Sequence, residues 1–153
     1  EPLNSAHRRH IRQILGVFYP KKITNINLYN TTNTYPIQLD IQQSRLKLLG
    51  HILRSNPNTP ANNAIHYYYY NPMNAPVIKG RTRTTLPDTL HSDFQLIQMK
   101  YQNISDFLKI KSIATDRELW RNTIHNIVEI KGKLLKSNLI EMEANRRRKR
   151  RLY

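Results

Sequence analysis

Apolar residues recur along most of this chain at the spacing of a helix face. The strongest stripe lies in its first half. Leu46, Leu49 and Leu53, flanked by Leu48 and Ile52 and extended upstream by Ile41 and Ile37, predict a helix from about Pro36 to Arg54. Truncating Leu48, Leu49 or Leu53 should then cost about 2–5 kcal/mol each. Gly50 falls inside this helix, where glycine costs about 1 kcal/mol relative to alanine. Either another backbone crosses closely there, or the glycine is neutral near a fraying end.

Other stretches follow the same logic. Leu3, Ile11, Ile14 and Leu15 predict a helix over Leu3 to Leu15, ended by Gly16 as its cap. Thr24 is placed to cap a short helix near Asn25 to Asn30, with Ile26 and Tyr29 turned inward. Asn30 to Tyr35 is polar, and Pro36 opens the central helix. Thr59 and Pro60 suit the cap and first position of a helix to about His66. Four consecutive tyrosines, Tyr67, Tyr68, Tyr69 and Tyr70, follow. Residues 71–86 contain Pro72, Pro76 and Gly80 and form the longest stretch expected to be irregular. Pro87 to Tyr101 resumes a helical period through Leu90, Phe94, Ile97 and Tyr101, and a short helix is expected over Ile104 to Ile110. Thr115 and Glu118 then read as a capping box. The helix it opens buries Trp120, Ile124, Ile127 and Val128. Lys131, Gly132 and Lys133 interrupt it without ending it, and Leu134, Leu135 and Leu139 carry the period toward Met142. Trp120, the central helix and the first helix should meet in the core. The expected fold is all-α, a small irregular multi-helix array with a basic loop and a basic C-terminal tail. Its expected segments are a helical subdomain at 1–70, a basic loop at 71–86, a second helical subdomain at 87–145 and an arginine-rich tail at 146–153.

Four motifs carry a family resemblance. Arg45-Leu46-x-x-Leu49-Gly50-His51-x-Leu53-Arg54 resembles a segment downstream of the polymerase domain in non-LTR (LINE-type) retrotransposon reverse transcriptases. Arg12 to Val17, with Tyr19-Pro20, Ile23-Thr24-Asn25 and Leu28-Tyr29, is similar to that family's preceding block. Gly80-Arg81-Thr82-Arg83-Thr84-Thr85 is similar to its Gly-Arg-Pro-Arg-x-Thr loop, with Thr82 in place of proline. Asp116-Arg117-x-x-Trp120-Arg121 resembles its closing helix. The resemblance spans residues 8 to 121 and implies descent from a region that helps hold template nucleic acid.

Charge changes the picture most. The 153 residues include 25 Lys and Arg against 10 Asp and Glu, a net charge of +15. Such a surplus calls for a polyanion, of which nucleic acid is the commonest. An anionic membrane surface is the rival, although no apolar run reaches the length of a spanning helix and no lipidation signal is present. Cysteine is absent, which removes disulfides and thiolate zinc sites. The chain begins at Glu1 and not at methionine, which reads as a fragment, a processed product or a sequence begun after its true start, so no targeting peptide remains to be read.

The candidate phosphate contacts are Arg8, Arg9 and Arg12 on the first helix, and Lys79, Arg81 and Arg83 in the irregular stretch. Arg146, Arg147, Arg148, Lys149, Arg150 and Arg151, six cations in a row, complete the set. Simple solvation is the alternative for the first helix, disorder for the loop, and a nuclear-import signal for the tail. The tyrosine run either stacks on unpaired bases or covers the core as a short extended segment.

No active site is legible. The paired aspartates that a polymerase needs for two metal ions are missing. Pro87-Asp88 with Glu129-Ile130-Lys131 fits a loose nuclease pattern that chance also supplies. His7 and His10 share a helix face, but Arg8 and Arg9 would repel a metal. The expectation is therefore a non-catalytic, cofactor-free RNA-binding structural protein. It would serve a large ribonucleoprotein such as an organellar, mitochondrial ribosome, with rRNA and neighbouring proteins as partners. DNA as the ligand, a nuclear address, a template-holding fragment of an active reverse transcriptase, and a basic subunit of a membrane complex are the alternatives.

Overall fold

A computed structural model describes residues 2–70, 80, 86–101 and 103–151, the side chains of 149–151 excepted. These residues form seven helices and no strand: α1 (Pro2–Ile14), α2 (Asn25–Thr32), α3 (Ile37–Arg54), α4 (Pro60–Tyr70), α5 (Leu86–Gln95), α6 (Ile104–Thr115) and α7 (Arg117–Arg151). The protein is all-α. It divides into two packed units, one of Glu1–Gln42 with Val128–Tyr153, the other of Gln43–Ile127. The units are not consecutive segments, because α3 and α7 each contribute to both.

In the first unit, helix ends are set by local chemistry. After α1, Gly16 takes a left-handed φ of 64°. The Val17 amide then donates to the Arg12 carbonyl at 2.9 Å and the Gly16 amide to Gln13 at 3.1 Å, which satisfies carbonyls the helix leaves open. Asn33, at φ 48°, ends α2 the same way, with the Thr34 amide donating to the Tyr29 carbonyl at 3.1 Å. At the start of α2, the Thr24 hydroxyl accepts from the Asn27 amide at 3.2 Å, as expected.

The core of this unit is Ile11, Leu28 and Tyr29, with Ile23 and Leu139 packed against it. Leu28 is completely buried, whereas Ile26, expected inside, is half-buried. The α1 expectation needs a larger correction. Leu3 and Ile14 are 63% and 84% exposed. The buried face of α1 instead runs through Asn4, Arg8 and Ile11, positions i, i+4 and i+7. Asn4 Nδ2 donates to Gln38 Oε1 at 2.8 Å and so joins α1 to the first turns of α3.

The second unit is organised by α3 and the first turns of α7. Leu46, Leu49 and Leu53 are buried; Leu48 and Ile41 are exposed, so truncating Leu48 should cost little. Trp120, 3% exposed, lies across Gly50, and its Nε1 donates to the Leu46 carbonyl at 3.1 Å. A Cβ at Gly50 would come within 2.5 Å of Trp120 Cδ1 and 2.8 Å of Cε2, and closer still to Nε1. The glycine is thus required by a close approach, that of an indole and not of a backbone.

Aromatic rings fill the rest of this core. Tyr69 stacks on Phe107 at 4.8 Å and meets Tyr101 edge-on at 5.0 Å; Phe94 lies 5.3 Å from Tyr101 and 6.1 Å from Trp120. Burial pushes the Tyr101 phenol up to about 12 and raises Tyr69 as well. Asn62, buried in α4, donates its amide to the carbonyls of Ile52 and Ser55 at 2.9 and 3.1 Å, which ties α4 to the C-terminal end of α3. Asp93 accepts from Arg45 Nε at 3.0 Å and from its Nη2.

Several boundaries differ from the sequence expectation. Tyr67 to Tyr70 are the last turn of α4 and not an extended segment. α5 stops at Gln95, and Gln98 adopts φ 58°, yet Tyr101 still reaches the core from the turn beyond. α6 continues to Thr115. Asp116, not Thr115, caps α7: its Oδ1 accepts from the amides of Glu118 and Leu119 at 2.8 and 3.1 Å. The Thr115 hydroxyl instead donates back to the Lys111 carbonyl. Finally, α7 runs unbroken through Gly132 and includes the arginines to Arg151.

Candidate nucleic-acid interface

The first unit has a cleft of about 420 Å³ at the C-terminal end of α1. Arg12 enters it from α1, Lys21 and Lys22 from the connection to α2, and Arg146 and Arg147 from α7, with Glu143 the one carboxylate among the described residues that line it. Glu143, Arg146 and Arg147 stand at i, i+3 and i+4, which places them on one face of α7. Glu143 is already engaged, since its Oε1 accepts the Ile26 amide at 3.4 Å. Arg12 is half-buried. Its Nη2 donates to Asn25 Oδ1 at 2.6 Å and to the Ile23 carbonyl at 3.4 Å, so it shapes the cleft wall as well as charging it.

Lys21, Lys22, Arg146 and Arg147 are exposed, where long cationic side chains can meet a phosphate without first losing a protein partner. Their convergence concentrates positive potential over a concave surface, the arrangement that attracts a polyanion most strongly.

The other expected contacts separate into three groups. Arg8 is removed from the set: it is 8% exposed and held by interactions inside the protein, because the packed face of α1 passes through it. Arg9 and Arg148 are exposed but do not line the cleft. Lys79, Arg81 and Arg83 lie outside the described residues, as do the side chains of Lys149, Arg150 and Arg151. Those last three residues continue α7 as helix.

The tyrosine run is divided by helix geometry. Tyr69 is buried on Phe107 and unavailable to a base. Tyr67, Tyr68 and Tyr70 are 55%, 46% and 49% exposed. Tyr67 and Tyr70, at i and i+3, line an open hollow with His66, whose ring stacks with Tyr70 at 5.8 Å.

Lys21 and Lys22 were not singled out from the sequence. A Lys-Lys pair after Tyr19-Pro20 was the available signal, but its value depends on α7 arriving opposite, which no local pattern encodes. No protein-family model, curated protein or solved structure matches the chain.

Proposed function

We propose that this chain is a non-catalytic RNA-binding protein that serves as a structural subunit of a large ribonucleoprotein, an organellar ribosome being the assembly its composition suits best. The observation that supports this most directly is the gathering of Arg12, Lys21, Lys22, Arg146 and Arg147 around one cleft in a chain of net charge +15. Residues distant in sequence supply the charge, and among the described residues the lining holds a single carboxylate, itself bonded to backbone. A surface of this kind neutralises a sugar-phosphate chain and is driven by release of its counterions. Among the described residues no helix is long and apolar enough to cross a membrane.

The test is salt-dependent binding of a structured RNA, followed by fluorescence anisotropy. Replacing Lys21, Lys22, Arg146 and Arg147 together with glutamine should reduce the slope of log K against log salt by about 3, since each phosphate contact contributes roughly 0.7–0.9. An unchanged slope would exclude the cleft. A DNA duplex of the same sequence, run as competitor, separates RNA preference from general polyanion binding.

A second reading keeps the reverse-transcriptase resemblance literal: the chain is a template-holding portion of a retrotransposon polymerase. The crossing of Trp120 over Gly50 favours it, because that contact joins two of the motifs that carry the resemblance. A catalytic domain encoded upstream in the same reading frame would distinguish it.

A further inference from the structure

The second unit has a cationic cleft of its own, built from residues that the function proposed above leaves unused. Lys47 and Arg54 of α3 and Arg117 and Arg121 of α7 surround a space of about 550 Å³, with Trp120 and Ile124 also in its lining. Among the described residues, four cations line it and no carboxylate does. Lys47 and Arg54 are seven residues apart and Arg117 and Arg121 four apart, so each pair projects from a single helix face. Lys47, Arg117 and Arg121 are exposed and have no ion-pair partner among the described residues. Arg54 is anchored, its Nη1 donating to the Ala114 carbonyl at 2.8 Å, which leaves the rest of its guanidinium fork available.

This arrangement works against the helix that carries it. Arg117 and Arg121 repel each other at i, i+4. Arg117 also occupies the first turn of α7, the positive end of its dipole, where a cation is unfavourable. An anion seated between α3 and α7 relieves both effects at once. Arginine forks match the oxygens of a phosphate, and nearly buried Trp120 and Ile124 keep one wall apolar, which strengthens charge-assisted hydrogen bonds made there.

We propose that this cleft is a second phosphate-binding site, on the second unit, which takes the phosphodiester groups of an RNA strand independently of the first cleft. The proposal rests on the RNA-binding function above and adds to it a distinct surface. Two such sites on one chain raise avidity without demanding tight binding at either.

Trp120 is the sole tryptophan in the sequence and lines the cleft, so its emission reports occupancy directly. The experiment titrates the full chain with a short oligouridylate, and in parallel with inorganic phosphate at equal phosphate concentration. Oligouridylate should produce a saturable change in Trp120 emission that inorganic phosphate does not. In the variant Lys47→Gln/Arg117→Gln/Arg121→Gln, that change should disappear, and the salt slope for RNA should fall by roughly 2. The first-cleft variant Lys21→Gln/Lys22→Gln/Arg146→Gln/Arg147→Gln should keep the emission change. A charge-conserving variant, Lys47→Arg/Arg117→Lys/Arg121→Lys, should retain the slope, which keeps the test decisive if the glutamine variant loses helicity. Wild-type affinity and slope in a folded glutamine variant would overturn this site and leave the RNA-binding function standing. An equal emission response to inorganic phosphate would assign the cleft to free anions and overturn the strand as its ligand. Failure of the wild-type chain to bind RNA would overturn both.

Discussion

Gly50→Ala tests the packing on which the second unit depends. Two effects oppose each other. In a helix interior alanine is favoured over glycine by about 1 kcal/mol, so a loose site would gain stability. Here the new methyl group would fall within 2.5 Å of Trp120 Cδ1 and 2.8 Å of Cε2, well inside contact distance. The neighbour is not the end of a flexible chain but a ring, 3% exposed and held by its hydrogen bond to the Leu46 carbonyl. Relief requires either displacing the indole or separating α3 from α7. Overpacking of this kind costs about 1–3 kcal/mol. Loss of the buried Nε1–H···O bond adds roughly 1–3 kcal/mol. Offset by the gain in propensity, the net destabilisation should be about 3 kcal/mol. Urea unfolding followed by Trp120 emission measures it. The matched control is Gly132→Ala in α7, where the added Cβ would lie an ordinary 3.7 Å from Leu39 Cδ1. That change should be neutral or stabilise by up to about 1 kcal/mol, read from far-ultraviolet dichroism. Combining Gly50→Ala with Trp120→Phe should cost less than the sum of the two single changes, since each removes the other's partner. If Gly50→Ala proved as stable as wild type, the close crossing would be refuted.

Three further outcomes follow from named contacts. Burial, reinforced by the Lys111 ammonium at 3.0 Å, holds the His66 imidazole below its ordinary 6.5. The unfolded chain therefore takes up this proton more readily, so the stabilising contribution is complete above 6.5 and declines as pH falls below it. Thermal melts across this range should show a decline that His66→Gln flattens; an identical decline in the variant would exclude His66 as its source. Asn62→Ala should destabilise the second unit by about 1–3 kcal/mol by removing two donors from the end of α3, and Asn62→Asp by more, because a carboxylate would face the same carbonyls. Denaturant midpoints rank the two. Arg45→Met should cost about 1.5–3 kcal/mol through the charged hydrogen bonds to Asp93, and a change smaller than 0.5 kcal/mol, roughly the scatter of surface substitutions, would mark the pair as unimportant.

By itself the sequence determined what depends on neighbours within a turn or two. The all-helical character, the Gly16 stop, the Thr24 cap and the buried spacing of Leu46, Leu49 and Leu53 are all of this kind, because capping and periodicity act over a few residues. At Gly50 it left two readings, a crossing backbone or a neutral glycine near a fraying end, and the neighbour is instead the Trp120 indole. Tertiary structure decided which face of each helix found a partner. Leu3 and Ile14 have helical spacing but stay exposed, while Asn4 and Arg8 are buried, because α1 packs through the face carrying polar residues. It also divided the tyrosines, taking Tyr69 inward and leaving its three neighbours exposed. Above all it chose which cations meet. Arg12, Lys21 and Lys22 lie far along the chain from Arg146 and Arg147, as Lys47 and Arg54 do from Arg117 and Arg121. A surplus of charge is a property of composition, but a field strong enough to hold a phosphate exists only where folding gathers those charges around one cleft.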